Sequence, residues 1–178
     1  MNKILNNTTI DPFYSSGQFQ STSPGCLDAE YKVAELEKLL QECSPALPRE
    51  FKRIADVGCG SGHTTFLIRD LLKKLGHQNI IIEGYDIHPE ISGYEGDENV
   101  KFIRADFCSL DTELFDLTVL FDVFEHVPDP IGFLRKISER TLWIICHIPL
   151  DASLFSGIRN LHLANLRHPG HLIVLDMP

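Results

Sequence analysis

The residues with the clearest chemical potential form the glycine-rich segment 56–62, Asp-Val-Gly-Cys-Gly-Ser-Gly. The segment joins an apolar strand candidate, residues 53–57, to an amphipathic helix candidate, residues 64–75. Glycines at such a junction let the backbone turn tightly and approach a ligand closely. The first N–H groups of the following helix can bind an anion or a carboxylate. The segment therefore predicts a ligand-binding loop. Its candidate binding residues are Asp56, Gly58, Cys59, Gly60 and Gly62.

Acidic residues end or follow the next two strand candidates. Asp86 ends the segment 80–86, and Asp106 follows the segment 100–105. Because parallel strands end at one edge of a sheet, we expect both carboxylates near the glycine-rich loop. An acid after the second strand can accept hydrogen bonds from the hydroxyls of a ribose. The alternative interpretation is an ordinary strand-end aspartate or turn cap at each position.

The spacing of the glycines separates two classes of ligand. A dinucleotide-binding loop, G-x-G-x-x-G/A, would place Gly or Ala at position 63, where this chain has His63. The observed G-x-G-x-G, with an acid two residues before the first glycine, resembles the first motif of class I S-adenosylmethionine (SAM)-dependent methyltransferases. The segment 121–130, Phe-Asp-Val-Phe-Glu-His-Val-Pro-Asp-Pro, is very similar to the corresponding part of small-molecule methyltransferases, including quinone-biosynthesis O-methyltransferases. The resemblance covers about residues 28–150.

The resemblance implies a Rossmann-like, doubly wound α/β fold with strand order 3-2-1-4-5 and SAM at the carboxyl ends of the strands. It also implies S-adenosylhomocysteine (SAH) as a product and a small molecule as the methyl acceptor. The resemblance implies that Asp86 binds the ribose and that Ile87 flanks the adenine. It also implies that Asp106 accepts a hydrogen bond from the adenine amino group and that Phe107 packs on the adenine ring. The implied cofactor-binding residues are Asp56, Gly58, Cys59, Gly60, Gly62, Asp86, Ile87, Asp106, Phe107, Phe121 and Asp122.

Two histidines are the candidate catalytic residues. His126 follows the fourth strand candidate and His147 ends the fifth, so both are expected at the rim where the methyl group would lie. Histidine titrates nearest neutrality and is the natural general base, which is needed only if the acceptor is protonated. The alternative is that His126 merely orders its loop and His147 is a strand-end hydrogen-bonding residue.

Other functions remain as alternatives to small-molecule methylation. The chain could be a non-catalytic SAM-binding or degenerate methyltransferase-like module, an RNA-terminal or metal-assisted methyltransferase, or an NAD-dependent oxidoreductase. The metal-assisted case would use the pair Glu125-His126 with His168, His171 and the nearby Asp122. We predict no metal site, because a His-x-x-His pair near the end of the chain is weak support.

Alternating strand and helix patterns must position these residues. Residues 28–43 predict an amphipathic N-terminal helix that could cover the site, and residues 53–150 predict the α/β core. Residues 115–121 and 142–146 predict the fourth and fifth strands, and Asp129-Pro130 predicts the N-cap and first residue of a helix between them. The expected organisation is an irregular arm over residues 1–27 and one SAM-binding domain over residues 28–178. Residues 151–178 are expected to supply only part of the family's C-terminal strand pair, which suggests a fragment of a longer chain.

Composition limits the cell compartment and the partners. The formal net charge of -9 disfavours nucleic acid, which gains affinity from Lys and Arg. Five cysteines without C-x-x-C spacing, no signal peptide and no membrane span predict a cytoplasmic protein with reduced thiols. A homodimer is compatible with the sequence.

Overall fold

The computed structural model describes residues 28–89, 91, 95–111 and 113–149. In chain order the elements are α1 (Ala29–Cys43), β1 (Arg53–Val57), α2 (His63–Lys74), β2 (Ile81–Asp86), β3 (Val100–Arg104), β4 (Phe115–Phe121), α3 (Pro130–Ser138) and β5 (Thr141–His147). Short 3-10 helices, Phe107–Ser109 and Phe124–His126, follow β3 and β4.

The five strands form one parallel sheet in the order β3-β2-β1-β4-β5, which confirms the predicted Rossmann-like topology. Val57 pairs with Tyr85 of β2, and Phe121 at the end of β4 pairs with His147 at the end of β5. The strands therefore end at one common edge, the carboxyl edge, where the candidate residues lie.

Each face of the sheet is covered by an apolar layer, as expected for parallel strands that are buried on both sides. On one face, Leu36 and Leu40 of α1 and Ile68 and Leu72 of α2 pack with buried strand residues such as Ile54. The layer on the other face contains Tyr85, Phe107, Phe115, Leu120 and Ile137.

The helix boundaries follow the sequence signals closely. The side chain of Asp129 accepts a hydrogen bond from Gly132 N–H at 2.9 Å, with Pro130 in the first turn, as the N-cap prediction required. No helix in the described ranges is long and apolar enough to cross a membrane. The predicted N-terminal arm, the C-terminal region after 149 and the residues Cys26, His168 and His171 lie outside the described residues.

Candidate functional site

The glycine-rich loop runs from the end of β1 to the start of α2 at the carboxyl edge. Gly58, Gly60 and Gly62 have φ of 78°, 55° and 76°, a conformation that favours glycine. The N–H groups of Gly58 and Cys59 both donate to the carbonyl of Tyr85, at 2.7 and 3.1 Å. The loop is thus tied to the end of β2.

Two glycines of the loop are also required by neighbouring side chains. A Cβ on Gly58 would overlap Val123, and a Cβ on Gly62 would lie 2.5 Å from the Phe102 ring. The sequence pattern identified the glycines but gave no sign of Val123 or Phe102. The loop is therefore packed from behind, on β3 and on the segment after β4.

Asp56 is buried under the loop. Its Oδ2 accepts a hydrogen bond from the Thr65 hydroxyl of α2 at 2.6 Å, a contact that sequence reasoning missed. Burial, opposed by this hydrogen bond and assisted by the Asp86 charge, raises the pKa of Asp56 to about 6. A positive charge placed near this carboxylate would favour its ionised form.

Asp86 joins the loop to the end of β2. Gly60 N–H donates to Oδ2 at 2.8 Å, and His88 N–H donates to Oδ1 at 2.9 Å. Each carboxylate oxygen can accept more than one hydrogen bond, so this half-buried side chain still has acceptor capacity for a ligand hydroxyl. Ile87 follows, half-buried, and Arg104 Nε donates to its carbonyl at 3.4 Å.

Asp106 and Phe107 have different surroundings. Asp106 is half-buried, and its Oδ1 accepts from Cys108 N–H at 2.9 Å. The Phe107 ring is only 2% exposed and packs on Tyr85, with ring centroids 5.0 Å apart. The Phe107 ring therefore forms part of the core. The predicted contacts of Asp106 and Phe107 with an adenine stay predictions.

A charged network connects α1 with the ends of β4 and β5. Oδ1 of Asp122 is hydrogen-bonded to Nδ1 of His147 at 2.7 Å. Oδ2 of Asp122 forms an ion pair with Nζ of Lys32 at 2.5 Å. Lys32 also pairs with Asp28 at 2.8 Å, and its side chain is 11% exposed. The sequence offered no signal for this network except the position of Lys32 on a helix thought to cover the site.

The network changes the titration of its members. Burial alone would raise the pKa of Asp122, but its hydrogen bonds to His147 and Lys32 outweigh burial and lower it. Burial likewise opposes the charge of Lys32, yet the two aspartates raise its pKa. The hydrogen bond to Asp122 raises the pKa of His147 against burial and the Lys32 charge.

The second candidate base, His126, lies in the 3-10 helix after β4. Its Nε2 is 3.8 Å from Glu125 Oε1, and its side chain is 11% exposed. Glu125 is itself buried. In the described part of the chain, no group of three or more His, Cys, Asp or Glu residues could hold a metal ion. Phe121, the remaining predicted site residue, is half-buried with its ring 6.0 Å from that of His147.

Part of this chain is similar in sequence to curated relatives. It is 29% identical over 110 residues to the ubiquinone biosynthesis O-methyltransferase of Xanthomonas axonopodis pv. citri (strain 306), covering 56% of this chain and 43% of the relative. It is 30% identical over 94 residues to the enzyme of that name from Ruegeria pomeroyi, covering 49% of this chain and 36% of the relative. The matches thus span less than half the length of these relatives.

Solved structures share the fold. The plantazolicin methyltransferase BpumL, in complex with a monoazolic desmethylPZN analog and SAH, matches with a TM-score of 0.61 at 16% identity. The match covers 75% of this chain and 55% of that one. The YcgJ protein from Bacillus subtilis matches with a TM-score of 0.55 at 20% identity, covering 83% and 63% of the two chains.

The model of the family described as "Methyltransferase domain" matches residues 28–175. This range includes every helix and strand of the described structure. This match confirms the family predicted from the glycine-rich loop and from the segment after β4. The chain belongs to the methyltransferase domain family of SAM-dependent enzymes.

Proposed function

We propose that this chain binds SAM at the carboxyl edge and catalyses transfer of its methyl group to a small-molecule acceptor. The observation that carries the proposal is the hydrogen bond between Gly60 N–H and Asp86 Oδ2 at 2.8 Å. It couples the glycine-rich loop to the acid that ends β2, so one contact fixes the two parts of a nucleoside-binding site relative to each other.

The chemistry of these residues fits SAM. Asp56 is a buried carboxylate at the start of the loop and would balance the positive charge of the amino-acid moiety. Asp86 has acceptor capacity for the ribose hydroxyls, and Asp106 for the adenine amino group. The loop itself has no room for Cβ atoms on Gly58 or Gly62, so the backbone forms its surface.

SAM supplies an activated methyl group when it is bound, and the protein positions the acceptor and controls its proton. Ile87, Cys59 and Phe121 are the apolar neighbours that would limit water around the cofactor. His147 ends β5 and His126 lies after β4, where a base for the acceptor is expected.

The acceptor class rests on the relatives. Curated relatives are named for ubiquinone biosynthesis, and BpumL is named for plantazolicin, so members of the wider fold methylate chemically different compounds. Of these, the quinone-pathway enzymes have the higher sequence identity, which supports a small acceptor with a hydroxyl group. The family match over residues 28–175 supports a single domain over residues 28–178.

Calorimetric titration of the chain with SAM, SAH and NAD tests the proposal. We expect SAM and SAH to bind with micromolar Kd, and Asp86→Ala to weaken both at least about tenfold through loss of ribose hydrogen bonds. Asp111→Asn, at an exposed position away from the loop, is the matched control and should bind normally. Binding of NAD alone would overturn the proposal. Binding of SAM without methylation of any hydroxyl compound in a panel would favour a non-catalytic SAM-binding module.

A further inference from the structure

We propose that His147 is the base that removes the proton from a hydroxyl-bearing acceptor, and that Asp122 and Lys32 position it. The inference deepens the proposed methyl transfer and rests on it. It assigns Asp122 to the acceptor side of the site, whereas the sequence predicted a cofactor ligand.

The contact with Asp122 fixes the tautomer of neutral His147. Its Nδ1 lies 2.7 Å from Oδ1 of Asp122, a carboxylate that can only accept when ionised. The proton of the neutral ring must therefore be on Nδ1, which leaves the lone pair on Nε2. Among the described residues, no hydrogen bond to Nε2 is found, and the His147 side chain is 28% exposed. Nε2 is thus the nitrogen of this partly exposed ring that can take a proton.

Both carboxylate oxygens of Asp122 already have partners within the protein. Oδ1 contacts His147 and Oδ2 contacts Lys32, while Asp122 N–H donates to the His147 carbonyl at 3.0 Å. Asp122 holds this orientation at φ 53°, in the left-handed region that aspartate adopts more readily than most residues with a side chain. Its backbone and its side chain therefore both contact His147, which orients the imidazole.

The charges around His147 also favour its protonated form. Among the described residues, the charged groups that act on His147 are Asp122, Lys32 and Asp28, and the rings of Tyr31 and Phe121 lie edge-on to it at 6.4 and 6.0 Å. With His147 neutral, Asp122, Asp28 and Lys32 together carry one net negative charge, from two carboxylates and one ammonium. Protonation of His147 brings the network to neutrality. The surroundings thus favour the imidazolium that proton removal would create.

His126 does not have this arrangement with its acidic neighbour. Its Nε2 is 3.8 Å from Glu125 Oε1, beyond hydrogen-bond length, and its side chain is less exposed than that of His147. At His147, the 2.7 Å contact with Asp122 is of hydrogen-bond length and fixes the tautomer.

The proposed methyl transfer involves one proton and one methyl group. The acceptor O–H proton moves to Nε2 of His147, and the acceptor oxygen forms a bond to the methyl carbon. The bond between that carbon and the sulfonium sulfur breaks, and its electron pair stays on sulfur. The products are the methyl ether, SAH and an imidazolium that later loses its proton to water. A phenolic hydroxyl suits this base, because the loss of one proton converts the phenol into a good nucleophile.

Histidine NMR and kinetics test the proposal together. In the wild-type chain, long-range 1H–15N spectra should show neutral His147 protonated on Nδ1. Asp122→Asn should lower the pKa of His147 and reduce that tautomer, while SAM affinity stays within about threefold of wild type. The control Asp111→Asn should leave the His147 spectrum unchanged. Circular dichroism establishes that each variant is folded.

Catechol, an aromatic diol, serves as the hydroxyl probe for the kinetic arm. We expect His147→Gln to lower kcat on catechol about 100-fold at pH 7, and the deficit should shrink as rising pH ionises catechol in solution. A neutral His147 protonated on Nε2, or a titration that Asp122→Asn does not move, would overturn the positioning role. A wild-type chain that binds SAM but methylates catechol no faster than His147→Gln would overturn the catalytic role. Failure of the wild-type chain to bind SAM would instead overturn the proposed function, whatever the His147 spectrum shows.

Discussion

Gly58 and Val123 lie so close together that a side chain on Gly58 would overlap a Val123 methyl group. Gly58 begins the loop after β1, and Val123 follows β4, the neighbouring strand in the sheet. The contact sets the separation between the loop that we propose for SAM and the segment that carries Asp122. The cofactor end and the acceptor end of the site are therefore packed on each other through these two residues.

Gly58→Ala should disrupt both ends of the site. The substitution adds the cost of an alanine at φ 78°, about 1–2 kcal/mol, to the overlap with Val123. We expect lower unfolding free energy in urea and loss of SAM binding. Gly76→Ala is the matched control, because Gly76 has φ 104° but no atom within 4 Å of an added Cβ.

A double variant separates strain from overlap. In Gly58→Ala/Val123→Ala, the Cγ atoms responsible for the overlap are gone and the nearest remaining Val123 atom, Cβ, was 3.5 Å away. We expect part of the lost stability to return, leaving a deficit similar to that of Gly76→Ala. Equal stability of the single and double variants would contradict the proposed contact.

Asp56→Asn should stabilise the free protein at neutral pH and weaken SAM binding. Burial raises the pKa of Asp56 from 3.8 to about 6, so the folded state binds more protons than the unfolded state between these values. Stability from this group therefore falls as pH rises through that window. Asparagine can still accept from the Thr65 hydroxyl but carries no charge. Urea unfolding at pH 4 and pH 7.5 should show the gain at pH 7.5 only, and an equal gain at both pH values would contradict the argument.

Lys32→Met should loosen the attachment of α1 to the carboxyl edge. Lys32 pairs with Asp28 and Asp122 and is 11% exposed, so its loss leaves two carboxylates without their shared cation. We expect a loss of about 1–3 kcal/mol in unfolding free energy and, because the Lys32 charge lowers the pKa of His147, a further rise of that pKa in the NMR titration. Lys38→Met on the same helix removes an exposed pair with Glu35 and should change little. Equal effects of the two substitutions would argue against the network.

The sequence predicted what depends on local pattern. The strand from Phe115 to Phe121 was predicted with its observed bounds, and Asp129-Pro130 marked the start of α3, because apolar runs and N-caps are local signals. The glycine spacing identified the loop for the same reason. The pairing of Lys32 with Asp122 could not be read from the chain, since it joins residues far apart in sequence that meet only when α1 packs against the sheet. The burial of Phe107 likewise depends on Tyr85 and Phe115 from other strands.

His77 should make the fold sensitive to mild acid. Phe51 N–H donates to Nδ1 of His77 at 3.0 Å, and the two rings stack with centroids 4.9 Å apart. Burial, opposed by the charge of Glu50, lowers the pKa of His77 from 6.5. A second proton would also have to occupy the nitrogen that accepts this hydrogen bond. Below pH 6.5 the unfolded state binds more protons than the folded state at this residue. Its stabilising contribution is therefore complete above that pH and declines as pH falls toward the lowered folded value.

The difference in unfolding free energy between wild type and His77→Phe isolates this contribution from other titrating groups. We expect the difference to be constant from pH 7 to pH 8 and to shrink steadily below pH 6.5. Lys38→Met, at an exposed residue with no role near His77, should give a difference that does not vary over this range. A His77→Phe difference that stays constant from pH 8 to pH 5 would show that the hydrogen bond to Phe51 does not hold His77 in its neutral form.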